Sequence, residues 1–258
     1  MSAPQPHTAA GLGVLREGDT LHLKLQRADK GNALSAALVQ ALSTEIQQAT
    51  QDPSLRLLVL SGEGRHFCTG FDLSDLDNET DDSLLARFTR VELLLQQVHR
   101  APFTTLALAH GRTMGAGADL FAACSERWVV GDALFAFPGV NFGLVLGTSR
   151  LGDLVGPTQA AQWLQGGLSI HREQALQAQL ATRQVDEDNL APALLQLQQR
   201  VGRLDLHTQN AIHAALDTAR RPRGDAGDAQ DLARLVQSAA HPGLRDRIAA
   251  YRAAQRKN

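Results

Sequence analysis

Apolar positions along this chain follow two rhythms, and the switches between them mark its elements. Val14–Leu15 and Leu21–Leu25 sit in alternation on either side of the turn "REGD", which predicts two short strands. "LSAALVQALSTEIQQA" then spaces its apolar residues for one helix face, with Ser35 placed to cap its start. "LRLLVLSG" (55–62) is continuously apolar and closes on glycine, as a strand buried on both faces would. A loop and a short helix are expected through "GEGRHFCTGFDLSDL". Residues 81–99 predict a long helix whose Leu84, Phe88, Val91, Leu95 and Val98 form one stripe, ended by Pro102. "FTTLALAHG" is the next buried strand, "AGADLFAACS" a helix, and "RWVVG" and "LFAF" two short strands. From Thr148 onward helical patterns dominate, with "RRPRGDAGD" (220–228) as the best loop inside them because Pro222, Gly224 and Gly227 interrupt the period. Residues 1–12 read as a polar, disordered leader. The repeated alternation of strand and helix predicts an α/β fold with parallel strands.

Composition narrows the function. A formal net charge of −2 leaves no basic excess to neutralise a row of phosphates, so nucleic acid is not the expected partner. No apolar run approaches the ~18 residues that span a bilayer and the N-terminus has no targeting pattern, so a cytoplasmic protein off the membrane is expected. Cys68 and Cys124 are too few and too far apart for a disulfide scaffold and are read as buried thiols. His66, His99 and His110 lack partners at ligand spacing, so no metal is expected.

Two turns carry the candidate chemistry. "LALAHG" runs into "RTMGAGAD", and "LRLLVLSG" into "EGRHFCTGFD". Each puts small residues where a strand gives way to a helix, where free N–H groups and the helix dipole favour negative charge. Neither is a dinucleotide or P-loop fingerprint. Either turn alone is equally explained by close packing of a strand on a helix.

Together, "GEGRHFCTGFDL" and "AHGRTMGAGADL" resemble the two signature segments of the crotonase, or enoyl-CoA hydratase/isomerase, superfamily. "DKGNALSAALVQAL" resembles the Asn-Ala-Leu segment of that family and "HPGLRDRIAAYRA" its closing helix, so the likeness covers roughly residues 14–255. The resemblance implies a spiral of ββα units over 13–200 and a C-terminal helical region over 201–258 that assembles homotrimers or hexamers. It implies an acyl-CoA thioester as substrate, with CoA arriving as part of it and no separate cofactor. It implies that the backbone N–H groups of Phe71 and Ala116 stabilise the thioester oxygen as it becomes an enolate-like oxyanion, beside a pocket that includes Gly115 and Gly139.

Where relatives use two glutamates, the first falls on Asp119, one methylene shorter, and the second on Gly139, which carries no carboxylate. "GLVLGTSRL" is also shorter than the usual segment, so a remodelled pocket floor is expected. Addition of water with one carboxylate lacks either its acid or its base. Double-bond isomerisation, decarboxylation and hydrolysis of a β-dicarbonyl remain open. So do a slow hydratase with water or an anion in the space at Gly139, and a relative that binds acyl-CoA without turnover. Glu92, beside the stripe of the long helix, is a second candidate proton-transfer group. Asp119 is otherwise a plain dipole partner in a first helical turn. Cys68 is read as packing, Asp72 as the cap of the following turn, and Arg150 with the terminal "RKN" as contacts for CoA phosphates.

Overall fold

The computed structural model describes residues 7–220 and 224–255. Its strands, β1 (His7–Ala9), β2 (Leu12–Glu17), β3 (Thr20–Leu25), β4 (Leu57–Gly62), β5 (Thr104–Met114), β6 (Glu126–Ala136), β7 (Ile170–His171) and β8 (Arg183–Val185), form one sheet. They lie in chain order from β1 to β7, with β8 beside β6. β1, β2 and β3 pair antiparallel, and β3 to β6 run parallel. The leader expected over 1–12 is therefore too long, because His7–Ala9 already pairs with Leu12–Val14. Residues 1–6 lie outside the described chain.

Ten helices complete the described chain: α1 (Ala36–Thr50), α2 (Asp81–His99), α3 (Ala116–Ala123), α4 (Thr148–Val155), α5 (Pro157–Gly166), α6 (Arg172–Gln177), α7 (Leu190–Gly202), α8 (Leu206–Arg220), α9 (Gly224–Ala239) and α10 (Leu244–Gln255). Ser35 caps α1 as expected, accepting from the Leu38 N–H at 3.2 Å. Thr80 and Ser83 cap α2 reciprocally, at 3.1 and 2.8 Å. The loop expected over 220–228 is shorter, since α8 reaches Arg220 and α9 begins at Gly224; residues 221–223 lie outside the described chain. Gly227 and Asp228 are buried inside α9, so this glycine packs rather than breaks the helix. The two short strands expected at "RWVVG" and "LFAF" are one strand, β6, with Gly131 at φ +63° between them.

The sheet is buried on both sides where it is parallel, which is why its strands read as apolar runs. Leu58, Leu60, Ala107, Ala109 and Val129 face a large core shared with α1, α2 and α3. Their alternates Leu57, Val59, Leu106, Leu108, Trp128 and Val130 face a second cluster with Ala193 and Leu197 of α7.

The ββα repeat comes from bending each chain segment into a second layer of pairing. The register of β5 shifts between Ala109 and Gly111, and Gly111 has φ +55°. A Cβ there would sit 2.0 Å from the Arg65 carbonyl oxygen, so only glycine lets β5 turn against the preceding loop. Beyond the bend, Thr113 bridges Cys68, and in the previous unit Phe71 bridges Leu34, both in parallel. The "GEGRHFCTGFDLSDL" stretch is a loop pinned by these single bridges, and the short helix expected at its end is a 3₁₀ turn at Leu76–Asn78. Asn32, fully buried at φ +57°, ties that segment down by donating to the Glu63 and His66 carbonyls at 2.9 and 2.7 Å.

Candidate active site

Two of these second-layer bridges end at one cavity of about 500 Å³. The peptide before Phe71 is aimed from one side: the Gly70 carbonyl accepts from the Leu34 N–H at 2.7 Å. Because a trans peptide is planar, its N–H then points away from Leu34, and Phe71 itself lines the cavity. Gly70 has φ +101°, and a Cβ there would lie 2.7 Å from the Met114 oxygen and 3.6 Å from the Ala116 nitrogen, so the two turns sit shoulder to shoulder.

The two glycines of "GAGAD" do different jobs. Gly115 precedes α3 at φ +51°, and its own N–H is claimed by the Ala136 carbonyl at 2.8 Å. Gly117 has no such backbone demand, but a Cβ there would lie 2.4 Å from the Cys68 carbonyl oxygen, so it lets α3 press on the neighbouring strand. Ala116 is the first residue of α3, where an N–H has no partner within the helix. Among the described residues neither the Phe71 nor the Ala116 N–H has an acceptor. Two backbone donors without acceptors thus stand at one cavity.

Asp119 lies one turn further along α3, buried, and lines the same cavity. It is the one carboxylate on the cavity wall among the described residues. Burial pushes its carboxyl well above the ordinary value; the Arg150 charge opposes this and the Glu92 charge adds to it. Its Oδ1 rests against Gly147, where a Cβ would come within 2.1 Å, and Gly147 has φ +63° just before α4. The shortened "GLVLGTSRL" segment thus brings bare backbone to the carboxylate. Gly139 also lines the cavity, and a Cβ there would meet only Leu144, at an ordinary contact distance of 3.7 Å, so a side chain could be accommodated at that position.

Glu92 is placed otherwise than expected. It is fully buried but does not line the cavity. Both its oxygens accept from the Arg150 guanidinium, at 2.9 and 2.5 Å, and Gln96 donates to it at 2.9 Å. This also corrects the expectation for Arg150, which is 5% exposed and engaged with Glu92, so it cannot meet a CoA phosphate in solvent. The "RKN" terminus, 256–258, lies outside the described residues. The pairing joins α2 to α4 across 58 positions of sequence, with no local signal that could have revealed it.

Other readings are settled by geometry. Burial pushes the Cys68 and Cys124 thiols up to about 12, so both are inert. Asp72 caps the following turn, accepting from the Ser74 N–H at 2.9 Å, and also pairs with Arg27 at 2.7 Å. Burial works against its charge, but these bonds outweigh it and hold its carboxyl below the usual range. His66 accepts from the Arg112 N–H at 3.1 Å, and His110 Nε2 lies 3.0 Å from the Gly64 carbonyl, so both brace the bend of β5. Among the described residues no three His, Cys, Asp or Glu side chains are grouped to hold a metal. The sequence reading missed Arg112, an exposed guanidinium on the cavity wall two residues after His110, and Tyr251 of α10, which lines it from the opposite end of the chain. Leu73, Phe88, Phe142, Leu144 and Leu146 make much of the remaining wall apolar.

The fold has counterparts among known proteins. A crystal structure from Bordetella parapertussis assigned to the enoyl-CoA hydratases/isomerases superposes with a TM-score of 0.86 at 39% identity, covering 93% of this chain and 98% of that one. The 2,3-dehydroadipyl-CoA hydratase of Escherichia coli K12 is 30% identical over 92% of this chain and 94% of its own length. A Bacillus subtilis protein assigned as an enoyl-CoA hydratase is 33% identical over 56% of this chain, which spans 58% of that relative's length. The profile of the enoyl-CoA hydratase/isomerase family matches residues 20–257, from β3 to beyond α10, and so takes in both turns, Asp119 and the helices that close the cavity: the chain belongs to that family.

Proposed function

We propose that this protein binds an acyl-CoA thioester in the cavity and converts it through an enolate held by the N–H groups of Phe71 and Ala116. The observation that carries the reading is the cavity wall itself, which presents two unclaimed backbone donors and a single carboxylate. One donor of this kind is worth about 3–4 kcal/mol of transition-state stabilisation in other enzymes. The chemistry best matched to a single proton-transfer group is migration of a double bond. Asp119 takes a proton from C2 of a 3-enoyl thioester, the charge spreads to the thioester oxygen, and the same proton is returned at C4 to give the 2-enoyl product. Burial suits Asp119 to this, because a raised pKa makes it a stronger base when ionised and lets it hold the proton between the two transfers. The apolar wall favours an aliphatic acyl group, and Arg112 at the mouth offers a cation to the CoA phosphates.

Hydration is the second reading, favoured by the names of the Bacillus and Escherichia relatives. Incubation with 2-enoyl-, 3-enoyl-, β-keto- and malonyl-type CoA, followed by mass and ultraviolet detection, separates the two. Mass-neutral conversion of the 3-enoyl thioester, lost in Asp119→Asn, is the expected result. Addition of water to the 2-enoyl substrate, lost in the same variant, would transfer the assignment to hydration. Intact substrates throughout, despite binding, would indicate a relative that holds acyl-CoA without turnover.

A further inference from the structure

We propose that Arg87 is a positioning residue for the Phe71 N–H donor, an inference that rests on the functional reading above. A backbone donor needs no particular side chain, yet the Phe71 ring is held by two others. Phe88 stacks on it with centroids 4.0 Å apart and planes 21° apart. The Arg87 guanidinium carbon lies over the same ring, 4.2 Å from its centroid. The guanidinium is anchored in turn: it pairs with Glu79 and donates to the Asp72 carbonyl at 2.9 Å. Both side chains of the Arg87–Glu79 pair are only 13% exposed, so the cation over the ring is largely out of water, where such contacts are strongest.

The donor needs such a restraint because its neighbour is soft. Gly70 at φ +101° is the most freely rotating joint available to a backbone, and the Gly70–Phe71 peptide hangs on it. The Leu34 N–H fixes the carbonyl end of that peptide and the Leu34 carbonyl takes the Asp72 N–H at 3.1 Å. Arg87 fixes what remains, the Phe71 side chain and the Asp72 carbonyl beyond it. Plain packing would give stability from the same contacts but would not tune the donor.

Acetoacetyl-CoA distinguishes these roles, because loss of its C2 proton to buffer gives an enolate that absorbs in the near ultraviolet and places charge on the thioester oxygen. The bound probe is titrated against pH with wild type, Arg87→Met, Arg87→Lys, Phe71→Ala and the Phe71→Ala/Arg87→Met double variant, each checked for folding by circular dichroism. Arg87→Met is expected to lower the enolate-to-neutral ratio of bound probe by about 3–10-fold, the loss of part of one donor, while affinity for the neutral form changes less than about twofold. In the Phe71→Ala background the same change should have a clearly smaller further effect, since only the hydrogen bond to the Asp72 carbonyl then remains. An unchanged ratio in folded Arg87→Met, or an equal loss with and without the Phe71 ring, overturns the proposal. Should Arg87→Met not fold, Arg87→Lys decides: a partial loss of enolate supports the role, and a wild-type ratio overturns it. A wild type that binds the probe without favouring its enolate would instead overturn the reading of the two donors.

Discussion

At the scale of single residues, the site is governed by what one carboxylate gives up to sit where it does. Asp119 is buried with its pKa raised, so the folded state holds its proton at pH values where the unfolded chain has released it. Folding stability then falls as pH rises from the ordinary carboxylate value through the folded one, and the cost is absent below both. Asp119→Asn removes the ionisable group at nearly constant volume. Its melting temperature is predicted to exceed that of wild type at pH 7.5 and to converge with it near pH 4; a variant less stable at pH 7.5 would show that the carboxylate is stabilised by its surroundings. Asp119 was legible from its place after the glycine turn, because helix-start geometry is local. Its contact with Gly147 was not, because the two meet only through packing of α3 on α4. The resemblance assigned Gly139 the place of a missing acid, and Gly139 does line the cavity that Asp119 lines.

Among elements, the buried Glu92–Arg150 pair matters most, since it fastens α2 to α4 behind Asp119. Burial works against the Arg150 charge, and the two hydrogen bonds it donates to Glu92, with the Glu92 charge, outweigh it. Removing one member leaves the other charge buried without its partner, which costs roughly 3–5 kcal/mol, whereas replacing both with apolar residues of similar volume is often neutral. Chemical denaturation of Arg150→Met, Glu92→Met and the double variant tests this: each single variant should lose about that amount and the double variant far less. Equal losses that simply add would mean that the pair is not a unit. The period of α2 made Glu92 visible as an acid beside the apolar stripe, but periodicity describes one helix at a time. It could not show that the residue opposite was an arginine 58 positions away. The same limit explains β6: a glycine at positive φ reads as a break in a pattern, while the sheet carries the strand through it.

For the whole molecule, the order of strands followed from the alternation of apolar runs, and the two-sided burial of β4 to β6 is the physical reason those runs are unbroken. Less legible was the second layer of pairing at Leu34–Phe71 and Cys68–Thr113, because single bridges leave no period in the sequence. It is this layer that brings two distant turns to one cavity. Leu195, Leu204, Ile212 and Leu216 on and between α7 and α8 remain 43–54% exposed, more apolar surface than one stretch of helix usually leaves to water. We propose that it is covered by self-association into trimers or pairs of trimers; light scattering should give three or six times the 27.7 kDa of one chain, and a clean monomer would refute it. The central claim is that the cavity stabilises an enolate which one carboxylate forms. It is tested most directly by hydrogen exchange at C2 of a saturated thioester such as butanoyl-CoA in deuterated water, followed by mass spectrometry. The account predicts deuterium uptake at C2 catalysed by wild type and abolished in Asp119→Asn; no uptake with wild type, or equal uptake with both proteins, would contradict it.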